Sequence, residues 1–189
     1  MTDPRSYALG PAPWPQADAW VLDMADVPDA LPTQPPTLLR LQPAGSPGFA
    51  RDLLQLQRVD IAGLMLPGVT GIAEVCAVSE RCMHPVLPVI DSAQALDQVR
   101  AIAHVPGVAR LVFDGAALQR DLGIDHEDGL LMARAAVVLA SRLARLARPV
   151  DDSRLDARRA WQLGFGARLC RSAAEGVDAH AAFTTTDKA

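Results

Sequence analysis

Short apolar runs alternate along the chain with longer segments of helical spacing. AWVLDMAD (19–26) reads as a buried strand that ends in carboxylates. TLLRLQP (37–43), IAGLMLPGV (61–69), VLPVIDS (86–92) and ARLVFDGA (109–116) repeat the look: a few consecutive apolar residues, then polar or small ones. Continuous runs of this kind, rather than strict alternation, suit parallel strands covered on both faces. Between them, SPGFARDLLQLQRV (46–59) has a Ser-Pro start and apolar positions at Leu53, Leu54 and Leu56, as a helix would. TGIAEVCAVSERCM (70–83), SAQALDQVRAIAHV (92–105) and DGLLMARAAVVLASRLARLA (128–147) are the other helical patterns. The alternation predicts an α/β fold with a parallel sheet, and a TIM-type (β/α)8 barrel is the natural closure. Its working residues would sit at the C-terminal ends of the strands.

Two segments do not fit a full barrel. PAPWPQADA (11–19) and VPDALPTQPPT (27–37) stand where the first two helices belong, and both are short and rich in proline. Proline lacks the N–H and clashes inside a helix. At 189 residues the chain also falls below the roughly 200 residues from which such barrels usually start. The expectation is a trimmed or partly open barrel, its first two helices reduced to Pro-rich loops. It would form a single domain over 1–183, followed by a flexible tail, TTTDKA (184–189).

Composition narrows the chemistry. Half the residues are hydrophobic, 21% are charged and the net charge is −4, so the chain can bury a core but carries no general basic field. Nucleic acid and anionic membrane are therefore not expected partners. Apolar stretches are interrupted every few residues, and MTDPRSYALG lacks the basic-then-apolar order of a signal peptide, so a cytoplasmic protein is expected. Cys76, Cys82 and Cys170 make an odd number, and reduced thiols are the default. Of the eighteen basic residues only Lys188, in the tail, is a lysine. Schiff-base chemistry needs a lysine desolvated in a pocket, which excludes it here. No GxxxxGK[ST] phosphate loop occurs either.

Taken in order, the strand ends resemble one family. WVLDMADVP looks like the acidic strand end of the citrate lyase β-subunit and malyl-CoA or citramalyl-CoA lyase group, within the HpcH/HpaI aldolase superfamily. LLRLQPAGSPGFARDL resembles its Arg-bearing strand and following Asp-Leu helix, IAGLMLPGVTG its "LPK" strand, and PVIDSAQAL its "IET" strand. PGVARLVFDGAALQRDLG is similar to its "GpaDLaadlG" stretch, AWQLGFGARLCRSAAEGVDAHAAF to its closing segment, and RSYALGPA (5–12) to a worn form of its opening. The pieces are collinear over roughly residues 5 to 183.

The resemblance implies reversible cleavage of a C–C bond beside a thioester or keto-acid carbonyl, with Mg²⁺ held by two carboxylates and an arginine gripping the substrate. It further implies an acyl-CoA or keto-acid substrate, and a homo-oligomer, commonly a trimer, or a complex with a full-length paralogue. Carried over by position, the substrate arginine is Arg40 and the first metal carboxylate is Asp91, one methylene shorter than the family's glutamate. The second metal carboxylate falls on Ala117, which cannot bind metal, and the Glu-Asp pair after the second strand becomes Ala25-Asp26. The lysine of the LPK strand is Gly68, that of the closing motif is Arg168, and Ile-His-Pro has become Arg171-Ser172-Ala173. The apolar scaffold is kept and most polar working parts are replaced.

Asp114, three residues before Ala117, is the candidate substitute that would complete a metal pair with Asp91; its plainer roles are to cap a helix or face solvent, with no ligand. Arg40 would clamp the substrate, or pair with Asp23 or Asp26 to hold the mouth together. Asp26 would assist as an acid/base or outer-sphere group. Cys76, Cys82 and His84 lack a usual zinc spacing, and nothing near Cys170 would activate its thiol. On ARAAVVLASRLARLARP (133–149), Arg134, Arg142, Arg145 and Arg148 would form either a CoA phosphate patch or a solvated face, and its apolar side could meet another subunit. Two functions stay open: a Mg²⁺-dependent C–C lyase of weakened activity, and a catalytically silent barrel acting as partner subunit or binding module.

Overall fold

The computed structural model describes residues 3–14, 16–28, 31, 34–56 and 61–183. Eight parallel strands follow one another around a closed barrel: β1 (Ser6–Leu9), β2 (Ala19–Asp23), β3 (Thr37–Arg40), β4 (Gly63–Leu66), β5 (Val86–Ile90), β6 (Val112–Asp114), β7 (Val150–Asp152) and β8 (Ala167–Cys170). β8 pairs back onto β1 with Tyr7 opposite Leu169, so no sheet edge remains exposed. The barrel is trimmed, as its sequence implies, but it is not open.

Among the described residues, the loop from β1 to β2 carries no helix and the one after β2 a single 3-10 turn, Met24–Asp26. Trp14, from the first of these Pro-rich loops, fills part of the missing layer. It packs so tightly on Gly176 that a Cβ there would come within 2.8 Å of the indole nitrogen. The remaining crossovers are α1 (Phe49–Gln55), α2 (Ile72–Ser79), α3 (Ala93–Asp97) with α4 (Val99–Ala103), α5 (Gly115–Leu122) with α6 (Leu131–Leu143), α7 (Ala157–Gln162) and the closing α8 (Ala173–Phe183). Side chains explain several starts: Ser92, Asp114 and Asp156 each accept a hydrogen bond from a backbone N–H in the first turn of α3, α5 and α7. The single helix expected over 92–105 is broken at Gln98, and the one over 128–147 runs only from 131 to 143 after a 3-10 turn. The end of the 46–59 pattern and the tail at 184–189 lie outside the described residues.

Strand geometry points successive side chains to opposite faces. The inward set, which includes Tyr7, Val21, Leu38, Met65, Val89, Val112, Val150 and Leu169, fills the barrel. The outward set, including Leu39, Leu64, Leu66, Ile90, Phe113 and Cys170, meets the helices. At the N-terminal end, buried Arg110 donates to the carbonyls of Pro4 and Arg148 and to the Tyr7 hydroxyl, with its guanidinium over the Tyr7 ring. That arginine closes the bottom of the barrel.

Two elements differ from the sequence reading. β7 arises from VDD, which has no apolar run to announce it. Arg134 is neither a phosphate ligand nor part of a solvated face: it is buried under α6, pairs with Glu127 and stacks 5.1 Å from the centre of the Phe113 ring. Its Nε lies 4.0 Å from Asp151 Oδ1, on the outer face of β7. Arg142, Arg145 and Arg148 are exposed, with Arg148 over the face of Trp161. Asp151 is fully buried and both its oxygens accept from the Ser153 hydroxyl. Desolvation lifts its carboxyl from 3.8 to about 6, against the pull of the Ser153 bond and Arg134.

A raised folded-state pKa means that ionising Asp151 costs folding free energy. Its contribution is most favourable in acid and declines as pH rises from 3.8 to about 6. Urea unfolding of the wild type and Asp151→Asn across that window should show the wild type losing roughly 1–3 kcal/mol relative to the variant as pH rises. A difference that stays flat, or runs the other way, contradicts the assignment.

Candidate functional site

The parity that fills the barrel also decides what crowns it. Continuing each inward series by one step, β2 presents Asp23, β3 Arg40, β5 Asp91, β6 Asp114, β7 Asp152 and β8 Arg171 at the C-terminal mouth. Asp114 is paired in register with Asp152, and Asp23 with Arg40. Ile90 pairs with Phe113, which sets Asp91 beside Asp114 one residue on. Three aspartates thus stand side by side on β5, β6 and β7.

Local structure holds each of them differently. Asp91 Oδ2 accepts the backbone N–H of Gly68 at 2.8 Å. Gly68 is at φ +70, and a Cβ there would come within 2.9 Å of the Pro43 Cβ and 3.1 Å of the Ala44 nitrogen. The lysine that the family motif carries here could not be seated on this backbone without strain. An N–H aimed at Asp91 takes its place. Asp114 Oδ1 accepts the Ala117 N–H at 2.9 Å, so its capping role is realised, and one oxygen is left over. Asp152 is gripped by both ends of the Arg171 guanidinium, at 2.6 and 3.0 Å. The Arg171 N–H in turn donates to Glu175 at the start of α8.

These groups act on one another. Burial raises the Asp91 carboxyl above its ordinary range, and Asp114 pushes the same way, while the Gly68 bond and the Arg40 charge pull it down. Burial also raises Asp152, and outweighs even its two-pronged bond to Arg171; Asp114 adds to the rise, and Arg40 opposes it. The bond to Asp152 raises Arg171. Arg40 sits 3.8 Å from Asp23, a partly exposed pair, and its charge reaches both Asp91 and Asp152.

Of the residues expected from sequence, Arg40, Asp91 and Asp114 come together at the mouth. Asp26 does not join them: it is exposed at the end of the 3-10 turn after β2, with no hydrogen bond or ion pair to the described residues. Of its two proposed partners, Arg40 has Asp23. Arg168 points outward and donates to the Ser153 carbonyl. Burial pushes the Cys170 thiol up to about 12, which leaves it inert. Asp152 and Arg171 have no part in the sequence-based site. The available signal was an Asp-Asp pair closing a helical segment, and an arginine where the family motif has an apolar residue. Among the described residues, no three His, Cys, Asp or Glu side chains are arranged to share a metal ion.

The residues present fit Mg²⁺ through two carboxylates only. Asp91 and Asp114 each commit one oxygen to a backbone N–H and stand beside each other, and their mutual repulsion is what a cation would relieve. Mg²⁺ commonly takes one or two carboxylates and completes its octahedron with water. Asp152 is withheld by Arg171.

Comparison of the sequence with curated proteins gives no match. Among solved structures, RipC from Yersinia pestis superposes with a TM-score of 0.84 at 22% identity, covering 97% of this chain and 96% of that one. The citrate lyase β subunit of M. tuberculosis, complexed with oxaloacetate and magnesium, gives 0.81 at 19% identity, covering 94% and 96%. The CitE protein of Mycobacterium tuberculosis with magnesium, acetoacetate and coenzyme A gives 0.80 at 19%, covering 97% and 82%. These likenesses show the fold. The family model for HpcH/HpaI aldolase/citrate lyase matches residues 10–173, which takes in every strand but β1, and the chain belongs to that family.

Proposed function

We propose that the protein is a Mg²⁺-assisted carbon–carbon lyase of reduced turnover, acting on an acyl-CoA or keto-acid substrate. The observation that carries the reading is the placement of Asp91 and Asp114 on adjacent inward strand ends, with the Arg40 charge reaching the same space. Support comes from family membership and from the magnesium, oxaloacetate, acetoacetate and coenzyme A bound by the M. tuberculosis proteins.

In this reading Asp91 and Asp114 hold the ion. When bound, it would polarise the substrate carbonyl and stabilise the enolate charge that develops on cleavage. Arg40 orients the substrate by receiving a carboxylate or carbonyl oxygen in its planar fork. Asp23 keeps the guanidinium at the mouth. Gly68, through its N–H, fixes the Asp91 carboxylate. Asp26, exposed at the rim, is left with an outer role in proton exchange with solvent.

A second reading is a catalytically silent barrel serving as a partner subunit. It is favoured by Ala117 at the family's second ligand position and by the closure of Asp152 with Arg171.

Calorimetric titration with Mg²⁺ and Mn²⁺ separates the two. The lyase reading expects binding that weakens at least about tenfold in Asp91→Ala and in Asp114→Ala, a loss of about 1.4 kcal/mol or more. It also expects Ala117→Asp, which returns a carboxylate to the first turn of α5, to tighten binding and raise cleavage of malyl- or citramalyl-CoA. No binding at millimolar metal leaves the silent barrel. Arg40→Ala should raise KM for a carboxylate-bearing substrate about 10- to 100-fold, with Arg40→Lys intermediate because it keeps the charge but loses the fork. An unchanged KM would remove Arg40 from the substrate.

A further inference from the structure

α6 and α7 both end at the N-terminal end of the barrel, opposite the mouth, and a cavity of about 600 Å³ lies between their last turns. Small-molecule sites commonly enclose roughly 300–1,000 Å³. Val138 and Leu146 give this one apolar walls, and Trp161 adds a half-buried indole. Its charged lining is of one sign. Arg142 and Arg148 face it and no acidic side chain does, in a chain whose net charge is −4.

The donors around this cavity are unspent. Neither guanidinium makes a hydrogen bond or ion pair with the described residues. Arg148 lies over the Trp161 ring, 4.2 Å from its centre, a contact that fixes the guanidinium without using its N–H groups. Arginines at helix ends ordinarily serve the last carbonyls. Here the backbone serves them. Leu146 N–H donates to the Ser141 carbonyl, and Arg145, at φ +59, donates to that of Arg142. α7 closes the same way, with the Phe165 N–H on the Ala160 carbonyl. Ser141, in the lining and only 2% exposed, has a hydroxyl with no hydrogen-bond partner among the described residues, where buried hydroxyls are ordinarily bonded.

We infer that this cavity binds a small organic phosphate monoester, with Arg142 and Arg148 meeting the phosphate and the apolar walls receiving the organic body. A phosphate monoester carries close to two charges at neutral pH and offers three acceptor oxygens, which matches two guanidiniums that no carboxylate neutralises. A lone carboxylate would leave one of them unmet. The site lies at the far end of the barrel from Asp91 and Asp114, so it is independent of the lyase reading.

Phenyl phosphate is a probe with both parts. Titrated into isotope-labelled protein and followed by NMR, it should shift the indole N–H signal of Trp161, identified by its loss in Trp161→Phe. The shift should saturate with a dissociation constant on the order of 1 mM. Inorganic phosphate has no body to bury and should bind at least about threefold more weakly, and phenol should leave the signal in place. Arg142→Gln combined with Arg148→Gln should weaken phenyl phosphate at least about tenfold. Both positions are exposed, so the melting temperature should hold. Arg148→Lys should fall between, because it keeps the charge and loses the fork. Arg40→Ala, at the mouth, should bind the probe as the wild type does, and the double variant should keep any Mg²⁺ binding, which separates this test from that of the lyase. A Trp161 signal that stays still at about 10 mM phenyl phosphate overturns the inference, as does a shift that the double variant leaves intact. An equal response to phenol overturns the anionic class, and equal binding of inorganic phosphate overturns the part given to the apolar walls. Binding lost in Arg40→Ala instead would move the ligand to the mouth and overturn the site.

Discussion

Closure of eight short parallel strands fixes which side chains can meet. Each strand contributes only three to five residues, and their alternation leaves one or two inward apolar side chains from most strands to pack the interior. The next inward position belongs to the mouth. Because closure removes the freedom to slip a strand by one residue, which would reverse every face, the six residues at those positions are held in common orientation. Asp23, Arg40, Asp91, Asp114, Asp152 and Arg171 are there as a consequence of the barrel's geometry. Their chemistry follows from what each finds beside it.

What they find is a set of four carboxylates and two guanidiniums in a partly desolvated rim. Asp114 is central: it neighbours Asp91 on one side and Asp152 on the other, and raises the carboxyl of both. Arg171 satisfies one of these neighbours from within the chain, while Arg40 acts on the set from the opposite wall. The mouth therefore contains two devices of different character. The Asp152–Arg171 pair is complete in itself, a buried carboxylate with its own cation. The Asp91–Asp114 pair makes no ion pair with the described residues, and only the more distant Arg40 charge acts on Asp91. A similar division appears outside the barrel, where Arg134 is shared between Glu127 and the buried Asp151. The acids on β7 thus have arginine partners within the chain, whereas among the described residues no ion pair reaches the aspartates on β5 and β6.

The scaffold was largely legible in the sequence, because apolar runs such as LPVI and LVF are what strands covered on both sides require. The proline content of residues 11–37 correctly pointed away from two helices, and the described residues there form none beyond a single 3-10 turn, since proline cannot donate the bonds a helix needs. β7 was not legible. VDD holds two buried carboxylates, one gripped by Arg171 and the other bonded to Ser153 with Arg134 at 4.0 Å, and no apolar run marks it as a strand. Arg134 itself was misleading: an arginine in a helix reads as a solvated residue until a buried acid is found opposite it. At the site, Arg40, Asp91 and Asp114 were recoverable because they end apolar strands. Asp26 lies one turn too far along the loop, where strand parity no longer governs direction. Gly68 was visible as a missing lysine, but its use as a donor to Asp91 depends on a left-handed turn and a close approach to Pro43.

Everything functional in this reading turns on a two-carboxylate cation site on β5 and β6, separate from the self-neutralised pair on β7 and β8. Anomalous diffraction from crystals soaked in Mn²⁺ would locate the ion itself. A single peak bridging the carboxylates of Asp91 and Asp114, with the Asp152–Arg171 pair intact beside it, is the expected result. A mouth without a peak at saturating metal would contradict the site, as would an ion that displaces Arg171 from Asp152.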